Sequence, residues 1–230
     1  MTLDTSTARR HILDRIRRAQ GRGGEPLASE REAVTDAVAR HTPGPLPTVD
    51  LDRVAHFEAQ AHRMSSTTER VATLAQVPAA IAGYLDALGL ARKAVCWNTF
   101  AGLDWAGAGI DVQPRRPQGD DLVGISGAFV AVAETGTLMM LSGPDTPASM
   151  HLLPETHVAI VSADRIVAHY EEGFALIRAE RGQLPRATNL VSGPSRTGDI
   201  EQTIVLGAHG PYRVHIVIVG DAPPGTGSVS

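Results

Sequence analysis

The segment VATLAQVPAAIAGYLDALGLARKAVCW, residues 71–97, predicts a strand, a helix and a second strand in succession. Val71–Leu74 predicts the first strand. The helix is predicted over Pro78–Leu88, with a proline in its first turn and Gly89 after its last residue. Ala94–Trp97 is short and apolar, which is typical of a strand buried in a parallel sheet. The segment therefore predicts a βαβ unit.

The same alternation continues along the chain. A helix is predicted over Tyr170–Arg181, and further strands are predicted at 121–124, 138–141, 157–161, 187–191 and 214–219. Alternating strands and helices predict an α/β fold, in which a mostly parallel sheet carries helices on both faces. The length of 230 residues suits one such domain with an added N-terminal helical extension.

The N-terminal extension is predicted over residues 1–47. Residues 8–19 place apolar side chains on one helical face and arginines on the other, and residues 21–47 form a Gly/Pro-rich tether in which 30–40 could be a short helix. The amphipathic helix needs a surface to pack on, either the domain or a partner. The α/β domain is predicted over 48–220, and residues 221–230 as a disordered Pro/Gly/Ser tail. Within the domain, Asp50 is predicted to cap a helix through Met64, whose inner face is Leu51, Val54, Phe57 or Glu58, and Ala61.

Composition excludes several classes of function. The net charge of −4 argues against nucleic-acid binding, and no apolar run or signal peptide indicates a membrane, so a cytoplasmic protein is expected. A single cysteine, Cys96, excludes an internal disulfide and an iron–sulfur cluster held by this chain. The nine histidines lack the spacing of a metal site, and no flavin or nicotinamide motif is present, so we expect no metal and no cofactor on this chain.

The loop Ser192-Gly193-Pro194-Ser195-Arg196-Thr197-Gly198-Asp199-Ile200-Glu201 is the first candidate for a functional site. It lies between two predicted strands and offers hydroxyl groups, a guanidinium and backbone N–H groups, which suit a small anion. The alternative is a structured turn whose polar groups satisfy one another. Asp199 could cap a helical turn or hold Arg196 in place. Gly210 and His209 follow, and the imidazole between small neighbours could donate to an anion or move a proton.

The second candidate is Glu134-Thr135-Gly136-Thr137, directly before a predicted strand. Glu134 has no charged neighbours in sequence, so if partly buried it could act as a general base or an acyl nucleophile. The alternative is a structural carboxylate that orders the turn. Thr135, Gly136 and Thr137 are predicted to contact the same ligand as the loop.

These motifs, with AETGT, LLPETH, SGPSRTGDIE and GAHGP in this order between 121 and 219, resemble the lactate utilisation protein C family, also called the LUD domain. The resemblance implies the fold shared by glucosamine-phosphate deaminase, ribose-phosphate isomerase and CoA transferase. It also implies a role in oxidising L-lactate to pyruvate together with two iron–sulfur partner proteins that hold the clusters. The alternative from another class is a stand-alone enzyme, CoA-transferase-like or sugar-phosphate isomerase-like, that uses Glu134 and the Arg196 loop.

Overall fold

The structure, a computed structural model, describes residues 4–21, 25–42, 44–197 and 205–220. The chain forms two compact units, residues 1–45 and 46–230. The first unit contains helices α1 (Ser6–Ala19) and α2 (Ala28–Arg40), at the positions predicted from the sequence. Among its described residues none is buried, and the apolar side chains of Ile12 and Ile16 on α1 are 60% and 46% exposed.

The second unit is built on a six-stranded parallel sheet, as the alternation of elements predicted. Its strands are β1 (Thr67–Val71), β2 (Lys93–Cys96), β3 (Asp111–Pro114), β4 (Val123–Gly127), β7 (Thr156–Ser162) and β12 (Arg213–Val219), and their order across the sheet is β1-β12-β7-β4-β2-β3. Every residue of β4 is buried, and so are all residues of β7 except Ser162. This near-continuous burial explains why the central strands carry mostly apolar residues on both faces rather than an alternating pattern.

A second, mixed sheet of four strands was not predicted. It contains β5 (Val130–Val132), β6 (Thr137–Leu141), β8 (Ile166–Val167) and β9 (Thr188–Val191) in the order β8-β5-β6-β9. β6 pairs antiparallel with β5 and β9, whereas β8 pairs parallel with β5. Helix α5 (Tyr170–Arg181) buries Ile177 in a small apolar cluster with side chains of this sheet. A short antiparallel pair, β10 (Arg196–Thr197) with β11 (Val205–Leu206), completes the strands.

Two helices pack into the main core. Helix α3 (Arg53–Arg63) buries Val54, Phe57 and Ala61, and α4 (Val77–Ala87) buries Ile81 and Leu85. α3 contacts both β1 and β8, so it lies against both sheets. None of the helices in the described ranges is long and apolar enough to cross a membrane.

Three local predictions were wrong. The helix predicted from Asp50 is capped by Asp52, whose carboxylate accepts from the Ala55 N–H at 2.9 Å, and Leu51 is 78% exposed instead of facing inward. The strand predicted at 71–74 lies at 67–71, because β1 is an edge strand with the polar sequence TTERV and gives no apolar signal. The strand predicted at 121–124 begins at Val123, since Asp121 is bonded to Arg115.

Candidate functional site

The predicted turn 134–137 and the predicted loop 192–197 meet at the carboxyl end of helix α3. Gly136 has φ +66°, and a Cβ there would overlap the backbone of Gln60 and Ala61. Gly193 has φ +76°, and a Cβ there would overlap the carbonyl of Met64. Both glycines therefore serve a close approach between backbones, which only a residue without a side chain permits.

Four hydroxyl groups join the turn to the loop. Thr135 Oγ1 lies 2.7 Å from Thr137 Oγ1, and Tyr170 OH lies 2.8 Å from both. Thr137 Oγ1 also hydrogen bonds with Ser192 Oγ at 2.5 Å. Thr137 is fully buried, so its hydroxyl group holds the turn against the loop inside the protein. Thr135 is half-buried and Ser192 is exposed. Tyr170 was not predicted for this cluster.

Glu134 forms a pair with His169, a residue that no sequence motif indicated. Glu134 Oε2 lies 2.9 Å from His169 Nδ1, and the two side chains are 24% and 13% exposed. The pairing of β5 with β8 brings the two together, because Val132 lies opposite Val167 and the Glu134 N–H donates to the Ala168 carbonyl at 3.0 Å. A carboxylate on Nδ1 orients an imidazole and leaves Nε2 to move a proton.

Arg196 lies at the exposed surface beside the end of α3. Its NH2 group donates to Ser65 Oγ and, at 3.3 Å, to the carbonyl of Met64. Nε and NH1 make no hydrogen bond within the described part of the chain, so the guanidinium keeps donors available for an anion. Ser65 has φ +67°, an uncommon conformation for serine, at the point where the chain leaves the helix.

The backbone of the loop is largely engaged within the protein. The Ser195 N–H donates to the Pro211 carbonyl at 2.8 Å, and the Ser195 carbonyl accepts from Gly207 N–H at 2.9 Å. Pro194 is buried, Thr197 lies in β10, and Gly210 lies against Ser195. His209 is exposed and makes no hydrogen bond with the residues described. Asp199, with its proposed cap, lies outside the described residues.

The Arg196 loop lies at the amino ends of the strands of the six-stranded sheet, because the Ser195 N–H donates to the carbonyl of Pro211, two residues before β12. Tyr212 N–H, directly before β12, donates to the carbonyl of Glu155, directly before β7, at 3.0 Å. The carboxyl ends of the same strands open instead on a cavity of about 890 Å³, which is lined by Trp97, Gly127, Ser162 and Val219 among others. No motif in the sequence indicated this cavity.

A buried polar cluster connects the two sheets. His157 Nε2 hydrogen bonds with Ser126 Oγ at 2.8 Å, and His151 Nε2 with Asn189 Nδ2 at 2.9 Å. Burial lowers the pKa of His157 to about 3 and that of His151 to about 4, so both imidazoles are neutral at physiological pH. Their ring centres are 5.9 Å apart. In the described ranges no three His, Cys, Asp or Glu residues come together as a metal site.

The match to a family model identifies the family. Residues 85–219 match the model of the LUD domain, more than half of the chain. The chain belongs to the LUD domain family. The resemblance seen in the sequence motifs is thereby confirmed, and the matched segment of this LUD domain holds the 134–137 turn, the 192–197 loop and Trp97. Helix α3, on which the turn and the loop pack, lies outside the match.

Individual relatives extend the comparison. The LUD-domain chain is 33% identical over 121 residues to Lactate utilization protein C of Bacillus licheniformis, covering 51% of this chain and 50% of the relative. It is 36% identical over 102 residues to Lactate utilization protein C of Bacillus subtilis, covering 43% and 42%. The chain thus spans about half the length of the curated relatives it matches. A crystal structure of a DUF162 family protein from Deinococcus radiodurans is similar with a TM-score of 0.55 and 26% identity, over 76% of this chain and all of that one.

Proposed function

We propose that this LUD-domain protein takes part in lactate utilisation, as a component needed with iron–sulfur partner proteins for the oxidation of L-lactate to pyruvate. The observation that carries the proposal is the similarity, at 33% and 36% identity, to proteins named Lactate utilization protein C. The family match spans both predicted site segments of this chain, which supports a shared role for them.

The chemistry of the reaction assigns the redox work to the partners. Oxidation of a hydroxyl group to a carbonyl removes two electrons, which a redox centre has to accept. An iron–sulfur cluster is held by several thiolates, and this sequence has one cysteine. Cys96 is buried, and burial raises the pKa of its thiol to about 11, so a thiolate is disfavoured there. The chain would then bind a ligand or its partners rather than carry electrons.

Small carboxylates are the ligands we assign to the Arg196 loop. The guanidinium is exposed, and it is positioned by Ser65 and the Met64 carbonyl through one of its two terminal nitrogens. The two remaining donor groups of the guanidinium, Nε and NH1, suit a bidentate contact with a carboxylate, which is the geometry that arginine provides best. The hydroxyl groups of Ser195 and Thr197 flank it in sequence.

A deletion strain tests the proposal. Removal of the gene from its native host should abolish growth on L-lactate but not on pyruvate, and the unaltered gene should restore it. Tagged protein should co-purify with cysteine-rich iron–sulfur proteins from cells grown on lactate. Normal growth on L-lactate after deletion, in a host without a second copy, would refute the lactate role.

The Glu134–His169 pair favours a second candidate, a stand-alone enzyme acting on a CoA-linked or phosphorylated acid. A carboxylate that is half-buried and bonded to an imidazole is a plausible acid–base or nucleophilic group. Turnover of an acyl-CoA or a sugar phosphate by the isolated protein, lost in Glu134→Gln, would establish this alternative. Glutamine can still accept from His169 Nδ1–H, so the variant removes the charge while keeping the contact. Absence of turnover with these substrates would leave the partner role as the conclusion.

A further inference from the structure

We propose that the cavity at the carboxyl ends of the parallel strands is a binding site for a nucleotide-class ligand, a planar ring that carries an anionic group. The cavity has a volume of about 890 Å³. Binding pockets for cofactor-sized molecules have volumes of roughly 300–1,000 Å³, so this cavity is far larger than lactate requires. The inference stands on geometry and does not depend on the lactate role.

The position in the sheet is the first argument. In the sheet, β2 lies between β3 and β4. The chain passes from β2 to its neighbour β3 on one side and then crosses back to β4 on the other side of β2, so the strand order reverses here. At such a reversal of strand order the loops after two neighbouring strands separate, and open α/β sheets bind their ligands in the resulting crevice. Trp97, the residue after β2, and Gly127, the last residue of β4, both line the cavity.

The apolar wall is the second argument. Trp97, Phe100 and Phe129 line the cavity with three aromatic rings. The Trp97 indole N–H donates to the Pro147 carbonyl at 3.4 Å, which fixes the ring. A Cβ at Gly127 would lie 3.1 Å from the Phe100 ring, so glycine leaves room for that ring at the end of β4. Trp97 and Phe100 are only 6% and 8% exposed, and Phe129 is half-buried with a guanidinium 4.6 Å from its ring centre. The three rings therefore give the cavity an apolar wall that a planar ligand can contact.

The charged rim is the third argument. Arg165 donates to the Phe129 carbonyl at 3.0 Å and to both oxygens of Glu180 at 2.6 and 3.1 Å, and this arginine holds the pKa of Glu180 below its ordinary value. Arg181 lies 5.8 Å from the centre of the Phe129 ring and makes no hydrogen bond or ion pair within the residues described. Its positive charge, beside the aromatic wall, suits the anionic group of the ligand. Asp145 is the other carboxylate that lines the cavity.

Tryptophan fluorescence tests the site, because the chain has two tryptophans and only Trp97 lines the cavity. The indole N–H of Trp105 is bonded to the Phe100 carbonyl at 2.8 Å inside the protein. In Trp105→Phe, adenosine 5′-monophosphate should change the emission of Trp97 saturably. In Trp97→Phe the emission of Trp105 should change little. Adenosine, which lacks the charge, and inorganic phosphate, which lacks the ring, should each bind at least about tenfold more weakly.

Charge variants complete the test. Arg181→Ala should weaken binding of adenosine 5′-monophosphate about tenfold, and Asp145→Asn should strengthen it. Arg178→Ala is the matched control, since Arg178 lies on the same helix and does not line the cavity, and its affinity should equal that of the unaltered protein. Thermal stabilisation by the nucleotide in the unaltered chain gives an independent readout. Absence of saturable binding, equal binding of adenosine, or equal losses in Arg178→Ala and Arg181→Ala would overturn the proposal.

Discussion

Three histidines buried as neutral imidazoles should make the protein less stable as the pH falls below neutrality. His151, His157 and His215 are at most 3% exposed, and burial lowers their pKa values to about 4, 3 and 4. The unfolded chain has the ordinary histidine pKa of about 6.5. Below that pH the unfolded state binds protons that the folded state does not, so the free energy of unfolding decreases.

The size of the effect follows from these values. As the pH falls from 7.5 to 5.5, each buried imidazole lowers the free energy of unfolding by about 1.3 kcal/mol, and the three together lower it by about 4 kcal/mol. The carboxylates remain ionised over this range, since their ordinary pKa values are near 4. Domains of this size are stable by roughly 5–15 kcal/mol, so the loss is easily measured.

Urea unfolding at several pH values between 7.5 and 5.5 measures the effect directly. His215→Gln should reduce the slope with pH, because one titrating group is removed, although the stacking on Tyr84 at 3.9 Å is lost as well. NMR titration of the imidazole resonances in the unaltered protein is an independent test, in which these three histidines should not titrate above pH 5. A stability that is constant or rises between pH 7.5 and 5.5, with ordinary imidazole titrations, would refute the reasoning.

Three further predictions concern the cluster at α3 and the N-terminal unit. Arg196→Ala should cost less than about 1 kcal/mol of stability, because the side chain is exposed, yet abolish thermal stabilisation by L-lactate or pyruvate; a collapse of stability would make Arg196 structural. Gly136→Ala should lower the free energy of unfolding, measured in urea, by more than about 2 kcal/mol. Gly83→Ala on helix α4 is the control, because a Cβ there meets nothing within 4 Å, and it should be neutral or stabilising. Equal effects of the two substitutions would contradict the close approach at Gly136. Deletion of residues 1–24, which removes the exposed Ile12 and Ile16, should weaken co-purification with the proposed iron–sulfur partners and leave the Tm of the α/β unit unchanged; unchanged co-purification would exclude α1 as a docking element.

Much of the fold was predictable because local pattern and burial agree. The predicted helix over Tyr170–Arg181 has those bounds in the structure, and the helix predicted at 78–88 is α4 at 77–87. The strands β7 and β12 contain runs of apolar residues, which are typical of parallel strands that are buried on both faces. The second sheet was not predictable in the same way. Its strands pair through long-range contacts such as Leu138 with Val191, which no local pattern encodes.

The candidate site was predictable only in part, and for the same reason. Glycines and hydroxyl residues marked the 134–137 turn and the 192–197 loop, and the structure brings both to the end of α3. His169 and Ser65 stand far from these motifs in sequence and reach them through strand pairing and through the end of a helix. The lining of the large cavity comes from the ends of several strands, from residues 141–146 and from the end of α5, and these segments lie far apart in sequence, so they form no single motif.

The Arg196 loop and the cavity should bind their proposed ligands independently, because the residues that they contact lie at opposite ends of helix α5. Tyr170 at its first turn belongs to the hydroxyl cluster, and Arg181 at its last residue lines the cavity. A helix rises about 1.5 Å per residue, so Tyr170 and Arg181 lie about 16 Å apart along α5, roughly twice the screening length of about 8 Å at physiological salt. Arg196→Ala should therefore leave the affinity for adenosine 5′-monophosphate unchanged, and the stability changes of Arg196→Ala and Arg181→Ala should add in the double variant. A shift of nucleotide affinity in Arg196→Ala, measured by Trp97 fluorescence, would show that the two sites are coupled through the fold.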